Sequence, residues 1–309
     1  MARPDQIYEP LAETNEFQIL TVHPSSDSKS PIQCSLIKSA LSDPPRYCAL
    51  SYCWGPTPET FPIQLNGVDF SVRENLYDAL LQLRKQNDPL FIWIDALCID
   101  QTNIPERNSQ ATQMGEVYVQ AHEVWIWLGK EREDTHLAFA HIRLWATLQR
   151  YERQSSGFNV ETLEKDHPEA FDDAAWKAAE DIFERPWWRR ALILQEVYAS
   201  RSCKYICGEH EVGWFEMAKT VGIWTGVSNR PVKHIETDKE IAFLDSSELF
   251  HSGIPFFVVH LSFPNNEVTT ANFEFLRSWH TILSFTCQVD ATNPRDKIYA
   301  LLGLLLPIR

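Results

Sequence analysis

The sequence predicts an α/β protein built on an open, mostly parallel sheet with flanking helices, a β-hairpin and helical insertions. Two observations carry this prediction. Short segments that are apolar on both faces alternate with segments of helical periodicity, which is the pattern of a sheet with crossover helices. The apolar segments are of strand length and lie at 47–53, 90–94 and 123–128.

The first strand is followed by a hairpin and a helix. Tyr47–Cys53 mixes aromatic, apolar and small residues and ends abruptly at Trp54–Pro56. Alternating apolar residues on both sides of Asn66-Gly67 predict a hairpin with a type I′ turn. Ser71 and Glu74 have capping-box spacing, and the apolar positions after them recur at helical intervals. These positions are 76, 79, 80 and 83.

A second strand, a helix and a third strand follow in order. Leu90–Ile94 is apolar on both faces, as expected for a central parallel strand. After a loop at Ala96–Thr102, Asn103 and Glu106 again have capping-box spacing and predict the start of a helix. Glu123–Leu128 is the next strand and is closed by a glycine.

The rest of the chain is predicted to be mostly helical. The segments are a helical insert at 131–181, a helix at Trp187–Tyr198, a small hairpin around Gly208, a loop at 226–271, and helices at 273–287 and 294–306. We interpret the chain as a single domain at 1–309. Its parts are an N-terminal extension at 1–45, a core at 47–200 that contains the insert, and a C-terminal hairpin and helices at 201–309.

Composition narrows the classes of partner. The chain has 28 lysine and arginine residues against 42 aspartate and glutamate residues, a formal net charge of −14. It has no cluster of basic residues, so we expect no nucleic-acid partner. No apolar run approaches the roughly 20 residues that cross a bilayer, and no signal peptide is recognisable. We therefore expect no membrane partner and a cytoplasmic location. Seven scattered cysteines favour buried reduced thiols, and no spacing predicts a metal site.

Polar residues follow the predicted strands where a ligand of an open α/β sheet would bind. Such ligands lie outside the carboxyl ends of the strands. The candidates after the first two strands are Ser51, Tyr52, Trp54, Gly55, Asp95, Asp100 and Gln101. Alternatively, Asp95 and Asp100 each cap a helix or order the loop. The sequence has no glycine-rich dinucleotide fingerprint, no P-loop and no nucleophile elbow.

Glu196 is a further candidate. It follows an apolar run on the predicted helix at Trp187–Tyr198, next to Gln195. A carboxylate on a largely buried helix is costly unless something requires it. The structural alternative pairs Glu196 with Arg189 or another arginine in a salt bridge.

Together these segments resemble the fungal heterokaryon-incompatibility (HET) domain. The matching blocks, in order, are YCALSYCWG at 47–55, the run at 75–83, the stretch from FIWIDALCIDQ to VWIWLG at 91–129, and WWRRALILQEV at 187–197; NPRDKIYALLGL at 293–304 is similar to the sequence that commonly follows. HET domains are similar to TIR domains, whose flavodoxin-like sheet supports NAD⁺ cleavage in several lineages. The resemblance therefore implies a flavodoxin/TIR-like sheet.

The resemblance also implies roles for the candidate residues. Glu196 would be the catalytic carboxylate, stabilising an oxocarbenium-like transition state as nicotinamide leaves, with Asp95 beside it. Trp54 or Tyr52 would stack a ring of the substrate, and Arg107 would meet a phosphate. The remaining pocket residues would be Ser51, Gly55, Asp100, Gln101 and Gln195.

The implied function is an NAD⁺ glycohydrolase that acts in fungal cell death when protomers associate. NAD⁺ is then the substrate, and no bound cofactor is expected. Two alternatives remain at this point: a non-enzymatic signalling module that works by self-association, and a metabolic enzyme that uses the same pocket for another small molecule.

Overall fold

The computed structural model describes residues 7–11, 15–55, 59–152, 160–198 and 200–227. The chain divides into two compact units. Among the described residues, the first contains those up to Lys130 together with Gln195–Glu209, and the second contains those from Glu131 to Leu194 and from His210 to Val227.

A mixed β-sheet forms the centre of the first unit. Its strands are β1 (Glu16–Val22), β2 (Gln33–Ala40), β3 (Cys48–Tyr52), β4 (Thr60–Leu65), β5 (Val68–Arg73), β6 (Leu90–Trp93), β7 (Glu123–Trp127) and β8 (Cys203–Cys207). They lie side by side in the order β5-β4-β2-β1-β6-β3-β7-β8. β6, β3, β7 and β8 run parallel, whereas β1 is antiparallel to both of its neighbours and β4 is antiparallel to β5. β2 and β4 are also parallel. The α/β class is confirmed, and the sheet is mixed.

The antiparallel pairings come from the predicted N-terminal extension and from the predicted hairpin. The extension at 1–45 supplies β1 and β2, and β1 is inserted between β2 and β6. The predicted hairpin supplies β4 and β5. Its turn is confirmed, because Asn66 and Gly67 have φ values of 52° and 77°, the left-handed conformation that a type I′ turn requires at both positions.

Three helices accompany the sheet in this unit. They are α1 (Glu74–Leu83), α2 (Asp95–Cys98) and α3 (Ile104–Gln120). The cap of α3 is confirmed, because Asn103 Oδ1 accepts from the Glu106 backbone N–H at 3.3 Å. The capping box predicted from Ser71 and Glu74 is wrong. β5 continues through Arg73, which becomes the N-cap of α1 and makes no side-chain cap hydrogen bond.

The second unit is mainly helical over its described residues. Its elements are α4 (Thr135–Glu152), α5 (Val160–Asp166), a 3-10 helix (Pro168–Phe171), α6 (Asp173–Phe183), a 3-10 helix (Pro186–Arg189), β9 (His210–Gly213) and α8 (Trp214–Val227). α7 (Ile193–Tyr198) follows the second 3-10 helix in the chain, and its residues from Gln195 onward belong to the first unit. The insert predicted at 131–181 is therefore helical, whereas α8 occupies residues that include the start of a predicted loop. The helices predicted at 273–287 and 294–306 lie outside the described residues.

The single helix predicted at Trp187–Tyr198 is wrong. A 3-10 helix ends at Arg189, Arg190 is extended with φ −76° and ψ 135°, and α7 starts three residues later. Trp188 is 1 % exposed, and its indole N–H donates to the Ile182 carbonyl at 2.8 Å. We attribute the break to the Trp188 indole, which is buried and held by a hydrogen bond to a carbonyl outside the segment.

Buried aromatic side chains fill much of the core. Trp93, Trp127, Trp187 and Trp188 are each 1 % exposed. The six cysteines among the described residues are free thiols, four of them buried. Within the same residues, no helix combines the length and hydropathy needed to cross a bilayer.

Candidate functional site

The carboxyl ends of β3, β6, β7 and β8 lie along one edge of the sheet because these strands are parallel. We call it the carboxyl edge. β3 pairs with β7 along its whole length, but its ladder with β6 contains the pairs of Cys48 with Ile92 and Ala49 with Trp93. The ladder stops there because β6 ends and the chain turns into α2 at Asp95. Ligands of open α/β sheets bind at such strand ends.

Ser51 and Glu196 form a buried pair at this edge. Ser51 lies in β3 and is 1 % exposed, and Glu196 lies in α7 and is 2 % exposed. The Ser51 hydroxyl donates a hydrogen bond to Glu196 Oε2. A buried carboxylate costs several kcal/mol unless hydrogen bonds or charges compensate it, so this donor is part of what keeps Glu196 inside. We call these two residues the buried pair.

A second group of side chains, the edge cluster, consists of Trp54, Arg73 and Asp95. The Trp54 indole N–H donates to Asp95 Oδ2 at 3.3 Å, and the Arg73 guanidinium lies over the same indole, 5.4 Å from its centroid. Arg73 Nη1 also donates to the carbonyl of Gly55 at 3.2 Å. Gly55 has a φ of +78°, a conformation that strains other residues.

Asp95 and Asp100 are both engaged in the loop between β6 and α3, which begins with α2 and not with the predicted irregular segment. Asp95 Oδ1 accepts from the Ala96 N–H at 2.7 Å, and the Asp95 carbonyl accepts from Gln101 Nε2 at 2.9 Å. Asp100 is 7 % exposed. Its Oδ1 accepts from both the backbone N–H and the hydroxyl of Thr102, at 2.9 and 2.7 Å, which orders the loop.

Other predicted residues stand apart from these groups. Tyr52 is 3 % exposed, so Trp54, at 39 %, is the more accessible of the two proposed stacking rings. Arg107 is exposed in the first turn of α3, where its N–H donates to the Asn103 carbonyl. Gln195 lies in α7 beside Glu196.

Asn75 is a functional candidate that the sequence analysis missed. Its Nδ2 donates to the carbonyl of Cys53 at 2.6 Å, and its Oδ1 accepts from the Trp127 indole N–H at 2.9 Å. One amide therefore holds the loop that carries Trp54 against the end of β7. The available signal was its place at the start of the HET-like run at 75–83.

Charges at the carboxyl edge are only partly balanced. Lys130, which follows β7, lies 3.0 Å from Asp78 and 3.5 Å from Glu74, and its hydrogen bond with Asp78 raises its pKa. Arg73 has no carboxylate within ion-pairing distance among the described residues.

Farther along the chain, in the first turn of α3, burial raises the pKa of Glu106. Across the described residues, no group of three or more histidine, cysteine, aspartate and glutamate side chains could hold a metal ion.

The sheet and the polar side chains at its carboxyl edge place the chain among α/β proteins that have a candidate ligand site at the ends of their parallel strands. Comparison with known proteins then gives the family. Residues 47–196 match the family described as "Heterokaryon incompatibility protein (HET)". This match confirms the resemblance to the heterokaryon incompatibility domain over residues 47–196.

One curated relative supports the assignment. Heterokaryon incompatibility protein 6, OR allele, of Neurospora crassa is 26 % identical over 227 residues. The alignment covers 63 % of this chain and 33 % of the relative, so the chain spans about a third of that protein's length. No solved structure matches the chain significantly.

Proposed function

We propose that this chain acts in fungal heterokaryon incompatibility and that its HET domain hydrolyses the N-glycosidic bond of NAD⁺, with a TIR-like sheet as scaffold. The family match and the name of the Neurospora relative support the first part. The observation that supports the second is the buried pair, a carboxylate and a hydroxyl at the carboxyl edge of the central parallel strand.

In the proposed reaction, the bond between nicotinamide and C1′ of the ribose breaks, and its electron pair leaves with nicotinamide. The carboxylate of Glu196 accepts hydrogen bonds from the ribose hydroxyls and stabilises the positive charge that develops on the ring. Water then adds to C1′ and loses a proton, giving ADP-ribose. Ser51 fixes the orientation of the Glu196 carboxylate through its hydrogen bond.

Access to Glu196 is a requirement of this proposal. Because Glu196 is 2 % exposed, substrate can reach its carboxylate only after the structure around it opens locally. We propose that self-association of protomers triggers this opening.

The same burial favours a second candidate function, a non-enzymatic signalling module. In that case the buried pair only anchors α7 to β3, and the domain acts by self-association. The two functions differ in what Glu196→Gln does, because the amide keeps the shape of the side chain but removes its charge.

Nicotinamide release by the purified full chain tests the proposal, measured by chromatography both in dilute solution and after enforced dimerisation. Glu123→Gln is the matched control, because Glu123 also accepts from a serine hydroxyl, that of Ser202 at 3.4 Å, but at the opposite end of β7. We expect Glu196→Gln to lower the rate at least about 100-fold, as for loss of a transition-state electrostatic contact, and Glu123→Gln to retain it.

Equal rates for the wild type and Glu196→Gln would refute the catalytic role. No release by the wild type in either state, with toxicity in a fungal host unchanged by Glu196→Gln, would refute NAD⁺ hydrolysis and support the signalling module.

A further inference from the structure

Trp54 is the accessible aromatic side chain at the carboxyl edge. It is 39 % exposed, and its indole N–H is held by Asp95, so the ring has a fixed edge and an exposed surface. Planar heterocycles such as nucleic-acid bases stack on rings of this kind. The loop that carries Trp54 is held in turn by Asn75.

Arg73 supplies an available positive charge beside this ring. Its side chain is exposed, and one of its five N–H donors is used by the Gly55 carbonyl. No described residue offers it a carboxylate, whereas Lys130, the other cation at this edge, is held by Asp78 and Glu74. A guanidinium with spare donors is suited to a phosphate, which it can bind through two parallel hydrogen bonds.

The start of α1 adds a second attraction for an anion. The helix begins at the residue after Arg73, and no side chain caps it. Uncapped N–H groups and the helix dipole favour negative charge at this end. Glu74 opposes this effect, but Lys130 lies 3.5 Å from its carboxylate and partly neutralises it.

We infer that the edge cluster is a subsite for a nucleotide, in which the base stacks on Trp54 and Arg73 binds the phosphate. The inference rests on the proposed function and replaces Arg107 in the phosphate-binding role. Arg107 lies in the first turn of α3 and makes no described side-chain contact with Trp54 or Asp95.

The test compares the affinities of AMP and adenosine by calorimetric titration of the full chain. Arg73→Gln should lower the ratio of AMP affinity to adenosine affinity about tenfold, the size of one charge-assisted hydrogen bond. Arg73→Lys should restore part of that ratio. Trp54→Ala should lower the affinities of AMP and of adenosine by a similar factor. Arg107→Gln is the matched control and should change neither affinity.

A ratio unchanged by Arg73→Gln, or lowered equally by Arg107→Gln, would overturn the inference. So would a wild-type chain that binds neither ligand. A general loosening of the structure would lower both affinities alike. The ratio of AMP affinity to adenosine affinity therefore isolates the phosphate contact. If AMP binding depends on Arg73 but no nicotinamide is released, the proposed function fails and the subsite stands. If nicotinamide is released but the ratio does not depend on Arg73, the subsite inference fails and the proposed function stands.

Discussion

Asn75 offers the sharpest test of how the carboxyl edge is held together. Its amide accepts from the Trp127 indole N–H at 2.9 Å and donates to the Cys53 carbonyl at 2.6 Å. Trp127 is 1 % exposed. Asn75→Ala therefore leaves a buried indole N–H without its acceptor and frees the loop at Cys53.

The expected loss of stability follows from these contacts. A buried donor left without a partner costs about 2 kcal/mol, and the lost bond to Cys53 about 1 kcal/mol. Alanine is the better helix former and recovers about 0.5 kcal/mol in α1. We expect Asn75→Ala to lower the free energy of unfolding by about 2 to 3 kcal/mol.

A double-mutant cycle with Trp127→Phe measures the first contribution separately. In that background the indole N–H is absent, so Asn75→Ala should cost less than about 1 kcal/mol. Trp93→Phe is the matched control, because Trp93 is equally buried but its indole N–H has no hydrogen-bond partner among the described residues. Urea unfolding, monitored by circular dichroism, gives the free energies.

The reasoning is refuted if Asn75→Ala and Trp127→Phe are additive, or if Trp93→Phe couples to Asn75→Ala as strongly as Trp127→Phe does. Either result would mean that the amide does not satisfy the indole, and that the loss arises from general loosening of the edge.

Three further predictions concern other parts of the fold. Gly67→Ala should cost about 1 kcal/mol in urea unfolding, from backbone strain alone, because φ is +77° and nothing lies within 4 Å of the added Cβ; no loss would contradict the turn. Thr220→Val should cost about 1–2 kcal/mol, since its buried hydroxyl donates to the Ile142 carbonyl at 2.8 Å, and Thr220→Ser should cost less. Burial lowers the pKa of His141 to about 4, so its contribution to stability is complete above the unfolded pKa near 6.5 and is lost as the pH falls. Relative to His141→Asn, the wild type should lose about 2 kcal/mol of unfolding free energy between pH 7 and 5, and a constant difference would contradict this.

Local signals predicted the elements whose geometry is set by a few adjacent residues. The Asn66-Gly67 turn and the Asn103 cap depend on backbone conformation and on one side-chain hydrogen bond each, so the sequence alone specifies them. The break between Trp188 and α7 was not predictable in this way. It depends on a buried indole whose acceptor, the Ile182 carbonyl, lies outside the periodic segment.

The position of β1 shows a second limit. Its residues alternate weakly, and what fixes the strand is antiparallel pairing with β6, about 70 residues away in the chain. Sheet order is a property of such distant pairs, which explains why the antiparallel insertion of β1 beside β6 was not predicted.

The candidate site divides in the same manner. Glu196 and Ser51 were separate candidates from the sequence pattern, the HET resemblance implied their roles, and 145 residues separate them along the chain. Arg73 was missed because it sits at the end of a hairpin strand whose alternation predicts nothing about the edge it reaches. Only the tertiary fold brings its guanidinium over the Trp54 indole.

The short ladder between β3 and β6 divides the sheet into two parts, one of five strands and one containing β3, β7 and β8. We call the boundary between these two parts the seam. Few backbone hydrogen bonds resist sliding along this seam, because its ladder contains two residue pairs, as does the ladder between β2 and β4. The hydrogen bond between Trp54 and Asp95 crosses the seam just beyond the last backbone pair and links its two sides. A molecule bound to both residues would therefore stiffen the seam, and its presence would be detectable as slower amide hydrogen exchange in β6 as well as at the bound ring.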